Sequence, residues 1–389
     1  MSIKVVIAPQ EFKGSVSAVK VSQAMSEGVK KVFPDANITM IPVADGGDGT
    51  LNTLVESTGG KKISSDVTGP LGQVISSEWG ALGDGDTAVI EMAKIAGLTL
   101  VPEIDRNPLL TTTFGLGEIV KDALDKNFRK FIIGIGGSVT NDGGAGMAQA
   151  LGVRLLDSFG NNISFGGSGL IDLQKIEISD RDPRVNESQF LVACDVNNPL
   201  TGEQGASAVY GPQKGATPEM VKTLDDALFN FSQVVSRDVG KEINDLPGSG
   251  AAGGLGGGIV ALLDGQLIPG SKIILDMLGI EKKIIDSDLV ITGEGQTDFQ
   301  TIFDKAPISV SKIAKSLSIP CIAISGSLGE GFESVYAEGI GSISSILNKP
   351  MNFDEAIIHS EDLITSATEQ AMKYLKIGKI LKKLDKKKI

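Results

Sequence analysis

Four polar, glycine-rich loops carry most of the side chains that could perform chemistry in this 389-residue sequence. They cover residues 8–15, 44–50, 134–146 and 293–298, and each follows a predicted strand. In open α/β sheets, ligands bind outside the carboxyl ends of the strands, so this placement is typical of a ligand site. Glycine also lets a backbone turn tightly and approach a ligand closely.

The loop at 134–146 contains Gly136, Gly137 and Ser138 and continues to Asn141 and Asp142. Backbone N–H groups of such a loop can hold phosphate oxygens, so these five residues are candidates for a nucleotide-phosphate site. The loop does not match G-x-G-x-x-G, because position 139 is valine, and G-x-x-x-x-G-K-[ST] occurs nowhere in the chain. A purely structural turn is the alternative interpretation.

Carboxylates at predicted strand ends are the second group of candidates. Asp45 lies in the second loop, Asp195 follows a strand near 190–194, and Glu294 and Asp298 lie in the fourth loop. Mg²⁺ is commonly held by one or two carboxylates plus substrate phosphates, so these residues suit Mg²⁺-assisted phosphoryl transfer. Each could instead form a turn or cap a helix. Lys13, in the first loop, could hold a phosphate or carboxylate as a point charge, or could simply be solvated.

The single histidine, His359, excludes several classes of enzyme. It lies in a helix-like stretch with no motif around it, so a Ser-His-Asp triad, an HExxH zinc site and a protein-kinase HRD loop are not expected. Acid–base chemistry must therefore use carboxylates, lysine or tyrosine.

The composition of the chain limits the partners and the cellular location that we expect for the protein. With 36 basic and 48 acidic residues the net charge is −12, which argues against nucleic acid as a partner because such binding relies on phosphate neutralisation. Two distant cysteines, Cys194 and Cys321, indicate reduced thiols and a cytoplasmic location. No apolar run approaches the roughly 18 residues of a membrane span.

The elements that must position these loops alternate between strand and helix. Strands are predicted at 3–8 and 38–43 and again at 288–292, 320–325 and 342–347, with helices at 307–317 and 353–375. This alternation predicts an α/β fold with a mostly parallel sheet covered on both faces. The middle of the chain is less regular. We therefore predict one discontinuous α/β domain, residues 1–65 plus 286–389, and an inserted α/β domain, residues 66–285.

Several motifs, taken together and in order, resemble the bacterial glycerate kinase family. They are Phe12-Lys-Gly-Ser15, Val43-Ala-Asp-Gly-Gly-Asp-Gly-Thr50, Arg106-Asn-Pro, Thr111-Thr-Thr-Phe-Gly115, Gly134 to Gly146, Ala193 to Leu200, Tyr210-Gly-Pro-Gln-Lys-Gly-Ala-Thr217, Gly250-Ala-Ala-Gly-Gly-Leu-Gly256 and Thr292-Gly-Glu-Gly295. No single motif decides the matter, but the ordered set runs from residue 3 to about 375 and is specific.

The resemblance implies ATP-dependent phosphorylation of D-glycerate, with 2-phosphoglycerate as the expected product. We expect ATP and Mg²⁺ as cofactors, and a monomer or homodimer. The resemblance also implies two different α/β domains, a discontinuous one of the Rossmann or flavodoxin type and an inserted one, with the active site in the cleft between them. The alternatives are a kinase of a related small hydroxy acid and a non-catalytic two-domain metabolite-binding protein.

Roles for the candidates follow as hypotheses. Asp45 and Asp195 are the expected base and Mg²⁺ ligand, in either order, and Glu294 and Asp298 are further metal candidates. The residues expected to bind glycerate or the moving phosphoryl group are Lys13, Arg106, Asn107, Gly46 and Gly47. Two positions depart from the family pattern, Gln296 in place of the usual arginine and Asp304 in place of the usual glycine, which argues against a phosphate contact through position 296.

Overall fold

The computed structural model describes residues 2–47, 49–302 and 305–385, with side chains up to residue 378. Asp304, one of the two departures from the family pattern, lies outside the described residues. The described strands, in chain order, are β1 (Lys4–Ile7), β2 (Asn37–Met40), β3 (Lys61–Thr68), β4 (Val74–Ala81), β5 (Thr87–Glu91), β6 (Lys130–Gly134), β7 (Arg154–Leu156), β8 (Lys175–Glu177), β9 (Gln189–Ala193), β10 (Gln266–Ile268), β11 (Leu289–Thr292), β12 (Gln296–Thr297), β13 (Cys321–Ser325), β14 (Ser327–Leu328) and β15 (Ile340–Ser345).

The helices lie between these strands and after the last of them. They are α1 (Ala18–Val32), α2 (Thr50–Thr58), α3 (Ala93–Ala96), α4 (Phe114–Asp125), α5 (Ala145–Ala150), α6 (Ala206–Tyr210), α7 (Pro218–Val239), α8 (Leu255–Leu263), α9 (Gly270–Met277), α10 (Ile280–Ile284), α11 (Ala306–Ser316), α12 (Phe353–Ile358) and α13 (Ser360–Asp385). The single helix predicted at 353–375 is in fact two, because α12 ends at Ile358 and α13 begins at Ser360. None of the described helices combines the length and the apolar character that crossing a bilayer requires.

The chain divides into two compact units. The first contains the described residues up to Asp45 and those from Ile274 onward, and the second runs from Gly46 to Ile273. The observed junctions are therefore 45/46 and 273/274, and both predicted junctions, 65/66 and 285/286, lie later in the chain. The first junction differs because β3 pairs with β4 along its whole length and the Leu51 N–H donates to Glu91 Oε1 at 2.9 Å. The second differs because α10 packs against α11.

The first unit contains a parallel five-stranded sheet in the order β15-β13-β11-β1-β2. Numbered within the unit, this order is 2-1-3-4-5, the flavodoxin-like arrangement, which confirms the predicted fold class. Its core contains Ile7, Met25, Ile291 and Ile324, all buried. Helix α1 packs closely on α13 at Gly28, where an added Cβ would lie 2.6 Å from the Thr365 carbonyl oxygen.

The second unit contains a six-stranded sheet in the order β10-β9-β6-β5-β4-β3. The strands β5, β6, β9 and β10 are parallel, whereas β3 and β4 run antiparallel. Phe131 and Phe190 stack in its core with ring centroids 4.7 Å apart. Gly134 on β6 is paired with Ala193 on β9, so the loops that follow these two strands start side by side.

Candidate active site

A cavity of about 220 Å³ in the second unit opens at the carboxyl ends of β6 and β9. It is lined by loop residues that include Gly46, Gly47, Gly136, Gly137, Ser138, Asp195, Tyr210, Gln213 and Lys214. The first six of these were predicted from the sequence. Parallel strand ends of this kind are the usual place for a ligand in an α/β sheet, and the cavity is therefore the candidate site.

Gly46 fits the cavity wall because it has no side chain. Its φ of +92° is in the region that glycine favours, and an added Cβ would lie 2.6 Å from the Ala193 Cβ. A Cβ at Gly134 would in turn lie 2.6 Å from the Gly46 carbonyl oxygen. The backbone of Gly46 thus rests directly on the ends of β6 and β9, and larger residues would push this loop off the sheet.

Lys214 lies beneath the loop that follows β6 and is only 1% exposed. Its Nζ donates to Ser138 Oγ at 3.0 Å and to the Thr140 carbonyl oxygen at 2.7 Å. Burial lowers the pKa of Lys214 to about 7, and the negative charge of Asp142 opposes that shift. An ammonium group can only donate, so Ser138 Oγ accepts from it and the Ser138 hydroxyl hydrogen remains for another acceptor.

Asp142 and Asn141 are fully buried and hold the loop in place. The Asp142 carboxylate accepts from the Thr113 N–H and hydroxyl, each at 2.8 Å, and from the Gly144 N–H at 3.1 Å. Burial raises the pKa of Asp142, while these donors lower it. Asn141 Nδ2 donates to Ser207 Oγ at 3.0 Å. The structure therefore brings Gly136, Gly137 and Ser138 to the cavity but leaves the side chains of Asn141 and Asp142 behind its wall.

The two carboxylates predicted as base and metal ligand lie in different units. Asp195 is exposed directly after β9 and lines the cavity, where its Oδ1 accepts from the Gly270 N–H at 2.9 Å. Asp45 is the last residue of the first unit's N-terminal part, and its Oδ2 accepts from Gln10 Nε2 at 2.7 Å. In the chain Asp45 directly precedes Gly46, the first residue of the cavity wall.

The other carboxylate candidates lie in the first unit. Glu294 is 5% exposed, and burial raises its pKa against the opposing charge of Lys305, whose Nζ is 3.5 Å away. Asp298 accepts from the Gln300 N–H at 2.9 Å and from Gln296 Nε2 at 3.2 Å, so it forms the turn after β12. Across residues 2–47, 49–302 and 305–385, no three or more His, Cys, Asp or Glu side chains cluster as a metal site. Mg²⁺ needs only one or two carboxylates when phosphates supply other ligands, so the residues present still suit it.

The side chains of Arg106 and Asn107 form hydrogen bonds with backbone groups near the cavity. The Arg106 guanidinium donates to the carbonyl oxygens of Leu98, at 3.1 Å, Val101, at 3.2 Å, and Gln213, at 3.3 Å. Asn107 Oδ1 accepts from the Leu109 N–H at 3.0 Å and forms a local turn. Arg106 therefore fixes the segment that carries Gln213 and Lys214, and the structure does not place its guanidinium in the cavity wall. A contact of either residue with glycerate remains a prediction.

The Arg106→Met variant should lower the free energy of unfolding by about 1.5–3 kcal/mol, because it removes a charged donor from three backbone carbonyls. Chemical denaturation of the variant and the wild type would measure this difference. Arg154→Met is the control, since Arg154 forms a surface pair with Glu177 at 2.8 Å and such pairs stabilise little. Unchanged stability together with a raised KM for glycerate would show that Arg106 binds substrate instead.

Sequence reasoning did not assign roles to Lys214, Tyr210, Gln213 or Cys194, all of which line the cavity. Three of them lie in the motif Tyr210-Gly-Pro-Gln-Lys-Gly215, which is one of the motifs that carry the family resemblance. A lysine that follows Gly-Pro-Gln and precedes a glycine is the available signal. Its burial depends on the distant residues Ser138 and Thr140 and cannot be read locally.

Comparison with known proteins agrees with the architecture of both units. The model of the glycerate kinase family matches residues 5–376. A glycerate kinase of Haemophilus influenzae is 49% identical over 96% of this chain and 99% of its own length, and a glycerate 2-kinase of Escherichia coli is 46% identical over 97% and 99%. A crystal structure of a provisionally assigned glycerate kinase 2 from Salmonella typhimurium LT2 has a TM-score of 0.91 at 45% identity, covering 97% of this chain and all of that one. The chain belongs to the glycerate kinase family.

Proposed function

We propose that this enzyme transfers a phosphoryl group from ATP to the 2-hydroxyl of D-glycerate, and that Mg²⁺ assists the reaction. The observation that carries the proposal is the cavity of the second unit, in which a glycine-rich loop and the Asp195 carboxylate occur together. Phosphoryl transfer requires neutralisation of charge, alignment and an acceptor for the hydroxyl proton. Family membership supports glycerate as the acceptor substrate.

The residues of the cavity divide these tasks between them. The N–H groups of Gly136 and Gly137 and the Ser138 hydroxyl are donors suited to phosphate oxygens. Asp195, which is exposed to the cavity, can accept a proton or bind Mg²⁺, and Asp45 would take the other of these two roles. Mg²⁺, when bound with the nucleotide, would neutralise the charge of the phosphates.

Three predicted residues of the first unit complete the proposal. Lys13, exposed in the loop after β1, supplies a positive charge for a phosphate or carboxylate oxygen. Glu294 and Asp298 remain candidates for a second metal contact, although each is already engaged by neighbouring side chains or backbone. Buried free thiols at Cys194 and Cys321 support a cytoplasmic location.

A coupled assay for ADP release would test the reaction. D-glycerate should stimulate ADP formation, while L-glycerate and related hydroxy acids of similar size should do so less. Phosphorus NMR of the product would distinguish 2-phosphoglycerate from 3-phosphoglycerate. ADP formation that does not depend on any hydroxy acid would contradict the proposal.

Removal of divalent metal should abolish turnover. We expect excess chelator to reduce the rate of ADP formation at least about 100-fold, because an unshielded triphosphate lacks the charge neutralisation that phosphoryl transfer needs. Added Mg²⁺ in excess over the chelator should restore the rate, which serves as the control for damage to the enzyme. Full activity in chelator would exclude the metal from the mechanism.

A further inference from the structure

A second cavity, of about 310 Å³, lies within the first unit. Its walls include Phe12 and Lys13 from the loop after β1, Leu347 from the segment after β15, and Phe353 and Ile357 from α12. It therefore opens at the carboxyl ends of the parallel strands. Of the residues named in its walls, only Lys13 has a place in the proposed reaction.

The floor of this cavity is built by closely packed backbone. An added Cβ at Gly326 would overlap the Gly295 carbonyl oxygen, and one at Gly295 would lie 3.3 Å from the Lys13 N atom. The Gly326 N–H donates to the Glu294 carbonyl oxygen and the Ser327 N–H to that of Gly295, each at 3.0 Å. These contacts join the loops after β1, β11 and β13 into one packed floor.

The position of the cavity in the sheet favours a nucleotide. In the strand order 2-1-3-4-5 the chain reverses its direction of winding between β1 and β11, and ligands of doubly wound sheets bind at this point. Lys13 lies on the cavity wall in the loop that leaves β1. A lysine there attracts the phosphates of a nucleotide bound in the same cavity.

The composition of the wall identifies the ligand more closely. Leu347, Met351 and Phe353 offer apolar and aromatic surface, and Phe353 is 75% exposed. Ser15, Ser327 and Asn352 add a few polar groups. Apolar walls with few polar groups are typical of small-molecule sites, and aromatic rings stack on nucleobases with little regard to sequence.

We propose that this cavity binds the adenosine part of ATP, with the Phe353 ring against the base and Lys13 beside the phosphates. The inference rests on the proposed function in taking ATP as the phosphoryl donor. It adds the place where the base is held and the residues that hold it.

Calorimetric titration of the full-length protein with ADP tests the proposal without catalysis. Phe353→Ala should weaken ADP binding by about 5- to 150-fold, because stacking on an aromatic ring is worth about 1–3 kcal/mol per base. Ala356→Phe, which places a ring inside the cavity, should weaken it at least about tenfold. Ile358→Ala is the matched control, since Ile358 lies on the same helix, is 76% exposed and is not part of the cavity wall.

The remaining measurements separate the possible outcomes. Tripolyphosphate should bind Phe353→Ala as well as it binds the wild type. In steady-state kinetics of Phe353→Ala, KM for ATP should rise while KM for glycerate stays unchanged. Unchanged ADP affinity in both cavity variants, with melting temperatures like the wild type, would overturn the proposal. If ADP affinity falls as expected but no hydroxy acid is phosphorylated, the nucleotide site stands and the proposed function fails.

Discussion

Asp195→Asn should lower kcat at least about 100-fold, whichever of its two proposed roles Asp195 has. Loss of a general base typically costs 10²- to 10⁴-fold, and loss of a charge that stabilises the transition state costs a similar factor. The asparagine side chain keeps the shape of the carboxylate, and its oxygen can still accept from the Gly270 N–H. Steady-state kinetics with saturating ATP and glycerate would measure the effect on kcat.

Asp45→Asn should produce a loss of the same size, because Asp45 is expected to take the complementary role. Titration with Mg²⁺ would distinguish the two residues, since only the metal ligand should show a raised requirement for Mg²⁺ when it is replaced. Asp226→Asn, on the exposed face of α7, is the control for loss of a carboxylate elsewhere. If both Asp45→Asn and Asp195→Asn retain near-normal kcat, neither residue has the proposed role.

Much of the fold could be predicted because its signals are local. Short β-branched runs, such as residues 3–8 and 320–325, alternate with amphipathic helices, and this alternation implies a parallel sheet. The junctions between the units could not be placed correctly, because they depend on pairing between distant residues. The region 46–65 belongs to the second unit through the β3–β4 ladder and the Leu51–Glu91 hydrogen bond, neither of which leaves a local pattern.

The candidate site was also predicted only in part, because some of its features depend on residues that are distant in the chain. Glycine-rich loops at strand ends are visible in the sequence, and Gly46, Gly47, Gly136, Gly137 and Ser138 all line the cavity. The direction of a polar side chain in such a loop is not visible. Asp142 turns inward because Thr113, 29 residues earlier, supplies two donors to it.

The partners of the basic side chains Arg106 and Lys214 could not be predicted from the sequence either. Arg106 could bind a carboxylate, but three carbonyl oxygens of neighbouring loops engage its guanidinium. Lys214 has no sequence feature that predicts burial, since lysine is almost never fully buried unless it is paired. The polar atoms that surround its Nζ come from Ser138 and Thr140, more than 70 residues away in the chain.

Lys214→Met should lower kcat/KM for ATP by about 10- to 150-fold, because it removes a charge-assisted hydrogen bond worth about 1.5–3 kcal/mol. Without the ammonium group, no donor from Lys214 occupies Ser138 Oγ. The Ser138 hydroxyl can then rotate, and its hydrogen is no longer held in the direction of a ligand. Methionine has a similar length and suits a buried position, so the fold should survive. Lys214→Arg is the matched variant that keeps the charge but changes the geometry of donation.

The dependence of stability on pH gives an independent measure of the buried lysine. The pKa of Lys214 falls from 10.5 to about 7 on folding, so between these values the unfolded chain binds more protons than the folded one. The free energy of unfolding should therefore rise with pH across this window, and the cost of burying the charge should be fully present below about pH 7. Lys214→Met should lack this rise. The same slope in wild type and variant would show that Lys214 does not titrate here.

A double-mutant cycle separates a role in the cavity from a role in folding. If Lys214 acts by orienting the Ser138 hydroxyl, Ser138→Ala alone should reduce kcat/KM for ATP, and adding Lys214→Met to it should cost little more. If Lys214 serves only to fill the interior, its effect on stability should persist in the Ser138→Ala background and the two effects on kcat/KM should add. Non-additive kinetics would therefore support the assignment, because the Nζ reaches Ser138 Oγ at 3.0 Å while Ser138 itself lines the cavity.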